Sequence, residues 1–215
     1  MRAVFTFIIC IVTLGGCSYN HHSNVAVESS NIEKFDSFLT QFAPFDGKLP
    51  DDSFFRVRED FPGEKNSPEI NKYYFSFLLP YDDDCSCVTK ELYYRPCYKI
   101  EKKNFYIVSM NICCDITKTA EYPYTDNTLV TYDKNGQIID FVTIGTSSDI
   151  QTYTIEPSAD ENEITYTQYC FADGESGYDG NCNVYVYKVR VDEKGKIDKN
   201  LLREEKNVKV TLPSF

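Results

Sequence analysis

Seven cysteines, Cys85, Cys87, Cys97, Cys113, Cys114, Cys170 and Cys182, are the side chains best suited by type to chemistry in this sequence, and their spacing limits what that chemistry is. Cys170 ends one strand-like run and Cys182 opens the next, bracketing "FADGESGYDGN". In an oxidising compartment a Cys170–Cys182 bridge is the first expectation, and closing a loop of this size contributes about 3 kcal/mol in the chain-entropy account. Cys113 and Cys114 are adjacent, so on a strand they point to opposite faces, and one of them could meet Cys85, Cys87 or Cys97. Seven is odd, which leaves at least one thiol for a buried, intermolecular or redox state. The sharper alternative is a thiolate site from Cys85, Cys87, Cys97 and one of Cys113 or Cys114, which would favour copper(I) or zinc. The paired Cys-x2-Cys spacing that marks such sites is missing, and so is a Cys-x-x-Cys redox motif.

Two acidic clusters supply hard oxygen ligands. Asp82, Asp83 and Asp84 precede Cys85, while Asp173, Glu175, Asp179 and Asn181 occupy the second Cys-bounded loop. That loop could hold Ca²⁺, but it lacks the Asp-x-Asp-x-Asp-Gly order of an EF-hand, and a solvated turn is the first reading. Both histidines, His21 and His22, precede the folded part, so Ser-His-Asp or Cys-His catalysis and His-ligated zinc are excluded from residues 23–215. Ser-x-x-Lys, Gly-x-Ser-x-Gly and phosphate-loop patterns are absent. A hydrolase built on paired carboxylates has 33 acidic residues to draw on and no spacing that singles out two of them.

These groups sit behind an export signal. Met1 and Arg2 start an apolar run, Ala3–Gly16, which is too short for the roughly 20 residues a spanning helix needs but suits the core of a signal peptide. It ends Leu14-Gly15-Gly16-Cys17, which resembles the lipobox of bacterial lipoproteins. The resemblance implies cleavage before Cys17, a lipid thioether on its sulfur and acylation of the new amino group, a durable anchor at about 0.8 kcal/mol per buried CH₂. Residues 17–30 then read as the lipidated cysteine and a flexible tether. Ser18 after the anchor and the lack of an acidic run point to the outer membrane, on its periplasmic face. Loss of Arg2 takes Lys plus Arg from 22 to 21 against 33 Asp plus Glu, about −12 for the mature chain. Such a surface repels nucleic acid.

Residues 31–215 read as a single mainly β (α+β) domain, with one N-terminal amphipathic helix packed on a large curved antiparallel sheet built from hairpins. Ser30-Asn31-Ile32-Glu33 fits a capping box, and Ile32, Phe35, Phe38, Leu39 and Phe42 recur at helical spacing. From Tyr73 the chain, with 17 Tyr and 15 Phe overall and no Trp, reads as strands: "YYFSFLL", "ELYYRPCYKI", "FYIVSMNICC", "NTLVTYD", "QIIDFVTIG", "QTYTIE", "EITYTQYC", "NVYVYKVRV" and "NVKVTL". A shorter strand-like run, "SFFRV", lies earlier. Asp133-x-x-Gly136-x-Ile138 and Asp192-x-x-Gly195-x-Ile197 predict two hairpin turns of one type, each with glycine at a positive φ. The helix, "LVTYDKNGQIIDFVTIG" and the final "DEKGKID" hairpin resemble small lipoproteins of Bacteroides-type bacteria. That resemblance implies an envelope lipoprotein and transfers no functional residues.

The function expected is therefore a membrane-anchored, non-catalytic binding or structural module of the cell envelope, with a protein or glycan partner. A thiolate- or carboxylate-based metal-handling or redox protein is the alternative. Tyr185 and Tyr187 fall on one face of a strand, opposite Val184 and Val186, and are the candidate aromatic surface.

Overall fold

Consecutive residues of the central strands are buried on opposite sides, and this alternation decides the architecture. The computed structural model describes residues 22–45, 54, 69–79, 92–114, 124–148, 151–156, 160–172 and 179–212. In chain order these form helix α1 (His22–Leu39), β1 (Ala43–Pro44), a 3-10 helix (Lys72–Phe77), β2 (Leu92–Glu101), β3 (Phe105–Cys114), β4 (Tyr124–Asp133), β5 (Ile138–Ser147), β6 (Gln151–Glu156), β7 (Glu163–Phe171), β8 (Asp179–Val191) and β9 (Ile197–Thr211). The fold is mainly β, as expected, but the strands divide between two sheets instead of one. β1 to β5 lie in chain order in the first sheet and β6 to β9 in the second, antiparallel throughout except for the short β1–β2 pair.

On β3, Val108, Met110 and Ile112 pack with Phe35, Phe38 and Leu39 of α1 and with Phe77, while Phe105 and Ile107 pack with Ile164, Tyr166, Val189 and Val191 of the second sheet. Three layers result, helix on sheet on sheet, and the first sheet is the middle one. Phe35 sits among Phe38, Phe77, Tyr106 and Tyr132, with ring centroids 5.2–6.0 Å apart. Tyr132 and Tyr94 donate hydrogen bonds to the carbonyls of Phe77 (2.6 Å) and Leu79 (3.1 Å), tying residues 77–79 to the sheet.

Two elements differ from the expectation. Helix α1 begins at His22, eight residues before the Ser30 capping box, because no Gly or Pro interrupts His22–Leu39. It ends where Thr40 N–H bonds Asp36 O and where Leu39 O, already accepting from Phe42 N–H, takes a second bond from Lys99 Nζ at 2.7 Å, a cation on an end carbonyl. The segment "YYFSFLL" lies mostly in the 3-10 helix and not in a strand. Asn71 Oδ1 accepts from Tyr73 N–H and Asn71 O from Tyr74 N–H, so the capping residue overrides the β-preference of the aromatics. Of the short strand expected at residues 53–57, only Phe54 is among the described residues.

The two Asp-x-x-Gly turns form as the sequence predicts. Asp133 Oδ1 accepts from the backbone N–H groups of Asn135 and Gln137, and Asp192 Oδ1 accepts from those of Lys194 and Lys196. Gly136 and Gly195 take φ of 85° and 81°. The second turn docks on the first sheet: Thr131 Oγ1 donates to Gly195 O at 2.7 Å, Ile197 N–H to Asp140 Oδ2 at 3.1 Å and Lys196 Nζ to Ile139 O at 2.8 Å. At the β5–β6 corner, Gln168 Oε1 accepts from Thr146 N–H, and its Nε2 donates to Thr146 O and Thr152 O, so this buried amide is satisfied by both sheets. Gly145 is required there, since a β-carbon would overlap the Tyr153 ring.

These contacts set two expectations. A β-carbon at Gly136 would lie 2.6 Å from Phe35 Cγ, whereas one at Gly195 would first meet the movable tip of Ile139 at 2.9 Å. Gly136→Ala should therefore lose at least about 2 kcal/mol in urea unfolding and Gly195→Ala clearly less, both carrying the positive-φ penalty. Equal losses would contradict the packing. Burial also raises the phenols of Tyr94 and Tyr132 above their ordinary 10. The share of stability these two phenols contribute should be fully present below about pH 10 and be lost as pH rises above it, because the unfolded chain then releases protons that the folded chain holds.

Candidate functional site

The thiols come first. Cys17, Cys85 and Cys87 lie outside the described residues. In the β7–β8 ladder Cys170 is opposite Asn183, and Cys182 is opposite Phe171. Directly opposed residues share a face and successive residues alternate, so Cys170 and Cys182 point to opposite sides of the sheet. The expected bridge is not formed, and both are free thiols. Cys182 is buried with Phe171 and Val184, and Cys170 is half-buried on the other face. Burial raises both thiol pKa values, with the neighbouring Cys170 adding to the rise at Cys182.

Cys97 lies where the β2–β3 register shifts between Pro96 and Lys99, and its Sγ donates to Asn111 Oδ1 at 3.2 Å. Burial pushes this thiol up to about 12, reinforced by nearby Cys113. At neutral pH Cys97 is a protonated hydrogen-bond donor. Cys113 accepts from Thr125 Oγ1 at 3.7 Å. Its neighbour Cys114 is the last residue of the same strand, paired with Tyr124.

Of the acidic loop, Asp173 and Glu175 lie outside the described residues, as do Asp82, Asp83 and Asp84. Asp179 and Asn181 stand on one face of β8. Asp179 Oδ1 accepts from Thr211 Oγ1 at 2.6 Å, and Asn181 is directly opposite Lys209 in the ladder. Among the described residues no group of three His, Cys, Asp or Glu side chains converges to hold a metal ion.

Tyr185 and Tyr187 share a face as the alternation requires, but it is the face turned toward the first sheet. Tyr187 stacks on Tyr166 at 5.1 Å and packs against the inter-sheet core, with Tyr185 6.4 Å beyond it. Lys199 Nζ lies 4.5 Å from the Tyr187 ring and donates to Thr143 O at 3.3 Å, and burial lowers its pKa. Tyr187 is thus part of the wall of the inter-sheet core, while Tyr185 is half-buried beside it.

Two clefts lie among the described residues, neither readable in the sequence, because each is assembled from segments far apart in the chain. One of about 530 Å³ lies where Asn31 and Ile32 of α1 meet Ser76, Asn135, Gln137 and Ile138. The other, of about 870 Å³, is lined by Lys102, Lys103, Asn104, Arg190, Glu193 and Lys194, among others. Both lie at the end of the molecule that carries the β2–β3, β4–β5 and β8–β9 turns. The only signals the sequence held were basic residues beside turn glycines.

No protein-family model, curated protein or solved structure matches this chain.

Thiol placement gives a direct expectation. Under native conditions near pH 8, iodoacetamide should modify Cys170 before Cys182, and Cys97 only on unfolding. In the denatured, unreduced protein Cys170 and Cys182 should both alkylate fully. Recovery of a Cys170–Cys182 linked peptide would contradict the register.

Proposed function

We propose that this chain is a lipoprotein held in the cell envelope through Cys17, and that its folded part is a non-catalytic binding or structural module. The observation that carries the non-catalytic reading is that chemically capable side chains among the described residues are committed to architecture. Cys97 donates to Asn111, Asp133 and Asp192 cap their own turns, Tyr94 and Tyr132 hold carbonyls, and Gln168 joins the sheets. Among the described residues two solvent-facing clefts stay open, a setting for recognition of a protein or glycan.

Anchoring rests on the apolar run that ends in Gly15-Gly16-Cys17, and the outer membrane's periplasmic face rests on Ser18 and the absence of a following acidic run. The same reading keeps α1 as an amphipathic helix on a curved sheet. Phe35, Phe38 and Leu39 are buried while Ile32 is 39% exposed, and the register shifts in β2–β3 and β4–β5 are the kind that bend a sheet.

The test is expression of the full chain in a bacterium with two membranes, followed by mass analysis of the N-terminal peptide. The reading expects a peptide that begins at Cys17 with acyl chains attached, protein in the membrane fraction, and release of Cys17→Ser into the soluble fraction. An unacylated Cys17, or a C17S chain that stays in the membrane fraction, would overturn it.

A further inference from the structure

The face of the first sheet that meets the second is apolar near the turns, where Ile100, Ile107 and Leu129 enter the inter-sheet core. Towards the other ends of the strands it turns polar. Arg95 of β2 is directly opposite Asn111 of β3, Asn111 is opposite Asn127 of β4, and Asn127 is opposite Gly145 of β5. Directly opposed residues share a face, so Arg95, Asn111 and Asn127 form one row about 10 Å long, at about 4.8 Å per strand. The Tyr153 ring of the second sheet closes the Gly145 end of that row.

The row is enclosed, and its hydrogen-bonding capacity is not met. Asn111 is 7% exposed and Asn127 is 5% exposed. Asn111 Oδ1 accepts from Cys97 Sγ at 3.2 Å. Among the described residues the Asn111 amide nitrogen has no acceptor, and the Asn127 side chain has no hydrogen-bond partner. Arg95 is half-buried, and its Nε is buried without a partner. Its guanidinium forms no ion pair among the described residues. The acids around it are engaged elsewhere. Asp126 points to the opposite face and accepts from Thr146 Oγ1 at 2.6 Å. Asp133 and Asp140 stand at the turn end and hold backbone N–H groups. Glu204, on the inward face of the second sheet, is exposed and pairs with Lys206 at 3.2 Å. Enclosed polar groups are nearly always satisfied, and a cation drawn out of water is costly without a counter-charge. Three adjacent exceptions point to a ligand rather than to packing.

We propose that this row binds a small hydroxylated carboxylate. Arg95 takes the carboxylate, because the planar guanidinium presents Nε–H and an adjoining N–H as a fork that matches two carboxylate oxygens. Asn111 and Asn127, about 5 and 10 Å along the row, supply the neutral donors and acceptors that hydroxyl groups require. One cation followed by two carboxamides suits a single negative charge on a short polar molecule. The site goes beyond the envelope reading and holds whether or not Cys17 is acylated.

The test is titration of the isotope-labelled full chain with D-glucuronate, and with D-glucose as the same ring lacking the carboxylate. NMR reads the Arg95 Nε–H and the side-chain amides of Asn111 and Asn127. Glucuronate should shift all three saturably in the millimolar range or below, and glucose should shift none. Arg95→Met, which removes the charge and keeps the apolar stem, should weaken glucuronate at least about tenfold. It should leave the urea midpoint of the ligand-free protein unchanged or higher, because the charge it removes has no counter-charge to lose. Silence of the three groups towards glucuronate, gluconate and lactate alike would overturn the site, as would equal shifts from glucose. Undiminished glucuronate binding by Arg95→Met, or a lowered midpoint that makes the arginine a structural residue, would overturn it too.

Discussion

Ile107 and Val108 are neighbours in sequence, fully buried, and directed into different cores. Everything else in the molecule follows from that two-sided burial of the first sheet. A strand exposed on one side needs one apolar face, whereas β3 and β4 need two, and both faces must be covered at once. Helix α1 and residues 72–79 cover one, and the second sheet covers the other. Without either cover, the sheet would present a contiguous apolar surface to water.

The covering layers are held by a small set of polar contacts placed where the apolar contacts stop. Tyr132 and Tyr94 fasten residues 77–79, Gln168 closes the β5–β6 corner, and Thr131, Asp140 and Ile139 receive the β8–β9 turn. The two Asp-x-x-Gly turns are alike in backbone and differ in what lies on the glycine: Phe35 of the helix layer on one, Phe105 and Ile139 of the middle layer on the other. One turn type thus serves both interfaces, which explains its repetition without any duplication of a domain. These turns and the contact of the helix with Gly136 thus share one end of the molecule.

The sequence made some of this legible. β3 and β6 are as read, and both turns were readable because aspartate and glycine at that spacing satisfy a specific backbone. The helix start was hidden, since Ser30 and Glu33 imitate a cap inside an uninterrupted helix. "YYFSFLL" has strand composition, but Asn71 and the packing of Phe77 decide otherwise. The division into two sheets depends on how the β5–β6 corner packs, which composition does not encode. Strand parity placed Tyr185 with Tyr187 correctly but could not say which face was inward. For Cys170 and Cys182 proximity along the hairpin was right, and a single step of register put them on opposite sides.

Two-sided burial of the middle sheet is tested most directly by native-state amide hydrogen exchange. The amides of Ile107–Ile112 and Leu129–Thr131 should exchange last, only through global unfolding. Those of 199–205 on the exposed edge strand β9 should exchange orders of magnitude sooner, through local opening. If β9 proved as protected as β3, or β3 exchanged along with β9, the first sheet would not be the middle layer on which the fold depends.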